Sequence, residues 1–127
     1  MNVLLLDDAE KLRTRYAEAL AELPGVEVAA FECRSFRVLS EIEKMQIDVV
    51  ILDVQMAQGG ALNLIRDIKT ALNPPVVIAM SSVSSLKYRS TCQKAGAEFF
   101  FNKVNETEAL LRAVVEIQNE LERQVHP

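Results

Sequence analysis

The chain has 127 residues, half of them hydrophobic and a quarter charged, with 18 acidic against 14 basic side chains for a net charge of -4. That length holds one core of ordinary size and not two, and the acidic balance offers no electrostatic footprint for nucleic acid, so no DNA or RNA contact is expected from this domain. The apolar runs are only a few residues long and none follows a basic N-terminal stretch, which excludes a membrane span and a signal peptide and leaves a cytoplasmic protein as the expectation.

Taken from the N-terminus, short apolar runs alternate with amphipathic stretches, the pattern of strand–helix units on a parallel sheet. Val3-Leu4-Leu5-Leu6 predicts a strand over 2–6 and is followed by a helix over 9–22, which Pro24-Gly25 ends. A second strand over 26–31 alternates in character, Val26-Glu27-Val28-Ala29-Ala30-Phe31, as an edge strand does, and a helix over 34–45 follows. The continuous run Val49-Val50-Ile51-Leu52 predicts a central strand over 48–52, then a helix over 60–72 stopped by Asn73-Pro74-Pro75. Val76-Val77-Ile78-Ala79-Met80 predicts a strand over 75–80, and the helix over 84–95 is closed by Ala95-Gly96. Phe99-Phe100-Phe101 gives the last strand, 98–102, before a helix over 105–123 whose apolar face carries Leu110, Leu111, Val114, Val115, Ile117 and Leu121. The chain thus reads as one α/β domain over 1–127.

Three of these strands end in a chemically telling way: the first runs into Asp7-Asp8, the third into Asp53 and the fifth into Asn102-Lys103. In a parallel sheet those ends lie along one edge, where α/β proteins bind ligands. Three carboxylates within a few ångströms repel one another by several kcal/mol at an effective dielectric of ~20, which calls for a cation among them, and the lysine calls for an anion beside it. Each residue has a plainer reading when taken singly. Asp7 and Asp8 could cap the first helix, Ser81 could belong to a turn in the serine-rich run ending at Ser85, and Phe99 to Phe101 could simply be core. Cys33 and Cys92 form no CxxC and read as small core residues, and His126 stands at the frayed C-terminus. The joint spacing across three strands is what makes a site.

At these residues the sequence resembles the receiver domain of bacterial two-component response regulators, over essentially its whole length. The resemblance implies a flavodoxin-like, doubly wound fold with a five-stranded parallel sheet in the order 2-1-3-4-5 and helices on both faces. It implies that Asp53 accepts a phosphoryl group, with Asp8 and Asp53 binding Mg²⁺ directly, Asp7 acting through a water and the backbone carbonyl of Gln55 completing the protein ligands. Lys103 would pair with the phosphoryl oxygens, Ser81 would hydrogen-bond them, and Ser82 takes a neighbouring position usually held by a small residue. Ser81 and Phe100 would be the switch residues, although Phe100 lacks the hydroxyl a tyrosine would bring. The partners implied are a sensor histidine kinase or histidine phosphotransfer protein, and a downstream protein or effector domain bound on the face of the fourth helix, fifth strand and fifth helix, with a homodimer through that face as a further family expectation.

The sequence departs from the family in three places. Receivers usually carry a cis-proline after the lysine, where this chain has Val104, and a cis bond to a non-proline residue costs about 2.5–4 kcal/mol, so the turn either bears that strain or is rebuilt. A proline usual in the loop after the phosphoacceptor is replaced by Ala57, and Gly59-Gly60 displaces the glycine expected there. These differences keep open a pseudo-receiver, an interaction module that signals without phosphate. An aspartyl-nucleophile phosphatase would want an acidic residue at Gln55, and a flavin carrier a Ser/Thr/Gly-rich loop where Asp7-Asp8 stands. The chain is expected to be either a stand-alone receiver or one cut from a longer regulator.

Overall fold

In the computed structural model, residues 1–33, 37–55, 60–83 and 86–125 are described. In chain order they form β1 (Asn2–Leu6), α1 (Glu10–Ala21), β2 (Glu27–Phe31), α2 (Val38–Met45), β3 (Val49–Asp53), α3 (Ala61–Lys69), β4 (Val76–Ser81), α4 (Leu86–Ala95), β5 (Phe99–Asn102) and α5 (Thr107–Val125). All neighbouring strands pair in parallel, in the order β2-β1-β3-β4-β5. This is the strand order the resemblance implies, with β2 at an edge as its alternation in sequence predicts.

Strand alternation divides the core into two layers. Leu4, Leu6, Val50, Leu52, Val77, Ala79 and Phe100 face one way and pack with Val38 of α2, Ile65 and Ile68 of α3 and Cys92 of α4. Val3, Leu5, Val49, Ile51, Ile78 and Met80 face the other and pack with Tyr16 and Leu20 of α1 and Leu110, Val114 and Ile117 of α5. Every residue of β3 is buried, as a central strand covered on both faces must be. Cys33 and Cys92 are both free thiols, and Cys92 is wholly inside the core.

Helix ends follow local chemistry. Gly96, with φ +123°, terminates α4, and Gly25, with φ +77°, turns the chain between α1 and β2. The third helix is shorter than the sequence predicts: it stops at Lys69, and Leu72 before the Asn73-Pro74-Pro75 stop is 95% exposed. Residues 34–36 of the second helix expected from sequence, the Ala57 and Gly59 positions, Ser84, Ser85 and His126 lie outside the described residues.

Register fixes the functional edge. Leu6 pairs with Leu52, so Asp7 and Asp53 stand on one rung, and Ser81 pairs with Asn102 one rung further on. The amide of Lys103 then donates to the Ser81 carbonyl at 3.0 Å, extending the β4–β5 ladder by one bond.

Candidate functional site

Among the described residues the buried polar or charged side chains are Asp7, Asp53, Ser81, Asn102 and Lys103, and all five stand at the C-terminal ends of strands. The ammonium of Lys103 lies 2.6 Å from Asp53 Oδ2 and 3.4 Å from Asp7 Oδ2. The other oxygen of each carboxylate is spent locally: Asp7 Oδ1 accepts the Ala9 amide at 2.9 Å and Asp53 Oδ1 accepts the Gln55 amide at 2.9 Å. Each carboxylate thereby folds its own exit turn and keeps one oxygen aimed at the lysine.

Burial pushes the Asp7 carboxyl above the usual carboxylate range; the Ala9 amide and Lys103 oppose the shift, and the Asp53 charge adds to it. For Lys103 burial acts downward, yet the hydrogen bond and charge of Asp53, with Asp7 behind them, outweigh it and the ammonium is held above its ordinary value. The lysine is therefore a fixed positive charge at neutral pH.

The structure separates the paired aspartates. Asp8, next to the buried Asp7, is half-buried and accepts the Cys33 amide at 3.0 Å, which ties it to the loop after β2. The two carboxylates in contact with the Lys103 ammonium are thus those of Asp7 and Asp53. Among the described residues no three His, Cys, Asp or Glu side chains form a group that could hold a metal by themselves. The donors on this edge are nonetheless all oxygens, and a hard cation such as Mg²⁺, which keeps several waters and takes one or two carboxylates, suits such a set without a closed cage.

The remaining expected residues are placed as follows. Ser81 is wholly buried at the end of β4, and its hydroxyl accepts the Val83 amide at 3.0 Å. Ser82 donates both its amide, at 2.8 Å, and its hydroxyl, at 2.6 Å, to Gln55 Oε1, clasping the β4–α4 loop to the β3–α3 loop. Phe100 is buried on the α4 side of the sheet, with the Tyr88 ring 6.2 Å away and the Arg89 guanidinium 5.3 Å from its centroid. The hydroxyl absent from Phe100 is present on Tyr88, which donates to the Val54 carbonyl at 3.2 Å.

Sequence reading assigned Asn102, Tyr16 and Glu106 no part in the turn after β5. No cis peptide bond occurs among the described residues, so the Lys103–Val104 turn is rebuilt as trans. Asn102 Oδ1 accepts the amides of Val104 at 2.9 Å and Asn105 at 3.0 Å, while Glu106 Oε1 accepts the Asn102 amide at 3.0 Å. The Tyr16 hydroxyl donates to the Lys103 carbonyl at 2.6 Å and shares a 3.1 Å hydrogen bond with Thr107. An asparagine directly before a loop is the signal that could have found the turn; no local signal marks Tyr16.

Comparison with known proteins accords with this arrangement. Residues 3–115 match the model of the response regulator receiver domain. Among curated proteins, a protein-glutamate methylesterase/protein-glutamine glutaminase of Oleidesulfovibrio alaskensis is 28% identical over 126 residues, 98% of this chain and 34% of that protein. One of Treponema denticola is 27% identical over 86% of this chain and 30% of its own length. The chain therefore spans about a third of these relatives. The beryllofluoride-activated NtrC4 receiver domain dimer superposes with a TM-score of 0.79 at 26% identity, over 94% of this chain and 97% of that one. The Francisella response regulator 1452 receiver domain gives 0.82 at 19% identity, over 94% and 98%. With the family's pattern matched over residues 3–115, the chain belongs to the response regulator receiver domains of two-component signalling.

Proposed function

We propose that this domain, over residues 1–127, is a phosphorylation switch in which Asp53 accepts a phosphoryl group from a sensor histidine kinase or a histidine phosphotransfer protein. The observation that carries the reading is the 2.6 Å contact between Asp53 Oδ2 and a buried lysine ammonium, which places an anion-binding charge beside a carboxylate nucleophile. Phosphoryl transfer needs chiefly positioning and charge neutralisation. An Asp53 oxygen forms the new O–P bond as the bond from phosphorus to the donor's imidazole nitrogen breaks; the leaving imidazole keeps the electron pair and gains a proton from water. Lys103 then follows the charge from carboxylate to phosphoryl oxygen, and the Ser81 hydroxyl leaves the Val83 amide to donate to another.

Asp8, Asp53 and the Gln55 carbonyl would hold Mg²⁺, with Asp7 acting through a water. The ion supplies neutralisation of the charge that gathers between the carboxylate and the incoming anion. Phosphorylation biases an existing two-state equilibrium, read on the α4–β5–α5 face by a downstream protein or effector domain, or by a second copy of the chain. No helix among the described residues is long and apolar enough to cross a membrane, which is compatible with the cytoplasmic setting proposed.

The test is intact mass after incubation with Mg²⁺ and acetyl phosphate. One added phosphoryl group, absent without Mg²⁺ and absent from Asp53→Asn, is the expected result. No adduct on a folded, Mg²⁺-binding protein would overturn the reading in favour of an interaction module that works without phosphate.

A further inference from the structure

We infer that Asn102 and Tyr16 are positioning residues for Lys103: a carboxamide and a phenol, 86 residues apart in sequence, together fix the trans turn that aims the lysine ammonium at Asp53. The inference rests on the phosphoacceptor reading above. A lysine side chain has four rotatable carbons and no intrinsic direction, so its aim depends on the backbone beneath it. Here that backbone is held on three sides. The Lys103 amide is bonded to the Ser81 carbonyl, its carbonyl to the Tyr16 hydroxyl, and the two amides that follow to Asn102 Oδ1.

Val104 is what allows this solution. Its N–H is one of the two that Asn102 accepts, and a proline has none to offer. Glu106 closes the ring by accepting the Asn102 amide, a reciprocal arrangement like a capping box that readies the chain for α5. Asn102 is 6% exposed and Tyr16 3% exposed. Neither serves a solvated surface, and the phenol reaches the turn from α1, on the layer of the domain that also carries α5.

The experiment is a double-mutant cycle on the full chain, with the rate of Mg²⁺-dependent phosphorylation by acetyl phosphate as the first readout and Mg²⁺ affinity as the second. Tyr16→Phe, which keeps the ring in the core, should slow phosphorylation about fivefold or more while leaving Mg²⁺ affinity within about twofold. In the Lys103→Ala background the same change should cost less than about twofold, because the group being aimed is gone. Asn102→Ala should raise amide exchange at Val104 and Asn105 by about tenfold or more. Equal slowing in both lysine backgrounds, or unchanged exchange at those two amides, would overturn the inference and leave the phosphoacceptor reading intact. Absence of phosphorylation in the unaltered chain would overturn that reading and this inference with it.

Discussion

Replacing Lys103 with methionine removes the only cation lying between Asp7 and Asp53 among the described residues, where the two carboxylates are 0% and 5% exposed. Breaking a buried ion pair by removing one partner costs about 3–5 kcal/mol. Methionine keeps most of the aliphatic volume, so the lower end applies, about 3 kcal/mol. For a domain of this size that corresponds to roughly 9–12 °C in melting temperature. The pH dependence distinguishes electrostatics from packing. Asp7 already has its carboxyl raised in the folded state, so its contribution to stability is fully present below the unfolded carboxylate range near about 4 and is lost as pH rises through the higher folded value. Without Lys103, which opposes that shift, the folded value climbs further and the loss deepens toward neutrality. Thermal melts followed by circular dichroism between pH 4.5 and 8 should show the gap between variant and unaltered chain widest at neutral pH and shrinking as pH falls. Saturating Mg²⁺ should narrow it at pH 7 by restoring a cation. A gap of constant size across the range, unaffected by Mg²⁺, would refute the electrostatic reasoning.

The same pair makes an alkaline prediction. Because Lys103 is raised in the folded state, its stabilisation is fully present below the ordinary lysine value of about 10.4 and is lost as pH climbs through the folded value; urea midpoints should drop above pH 10 in the unaltered chain and less in Lys103→Met. In the core, Ile65→Ala should cost about 2–5 kcal/mol by urea unfolding because Ile65 is wholly buried, whereas Leu72→Ala, at a side chain 95% exposed, should stay within about 0.5 kcal/mol. Gly96→Ala should destabilise by more than about 1 kcal/mol in the same assay, since its φ is +123° and a Cβ there would lie 2.7 Å from Lys69 Cγ; a smaller effect would mean that the end of α4 can shift.

The sequence exposes those parts of the site that depend on chain order alone. Asp7, Asp53, Ser81 and Lys103 each end or follow an apolar run, and a parallel sheet brings such ends to one edge whatever the side chains do. The order of the strands is different in kind: it follows from the resemblance alone, because nothing in the runs themselves says that β1 sits between β2 and β3. Asp8 illustrates the next limit. Adjacent carboxylates look equivalent in sequence, yet one is sealed against Lys103 and the other is bonded to the Cys33 amide, a choice made by a loop 25 residues away. Tyr16 was hidden for the same reason, its partner being 87 residues distant. The Ser82–Gln55 clasp and the Asn102 turn rest on hydrogen-bond geometry that residue type permits without requiring. Val104 could be recognised as a departure, whereas the trans turn that resolves it needed the positions of Asn102 and Glu106.

The most direct test of phosphoryl transfer to Asp53 is chemical trapping of the product. The protein is incubated with Mg²⁺ and acetyl phosphate, reduced with borohydride, which converts an aspartyl phosphate to homoserine, and digested for peptide mass analysis. Homoserine at position 53, dependent on both Mg²⁺ and acetyl phosphate, is the predicted result; homoserine at Asp7 or Asp8, or none at any aspartate of the folded protein, would contradict it.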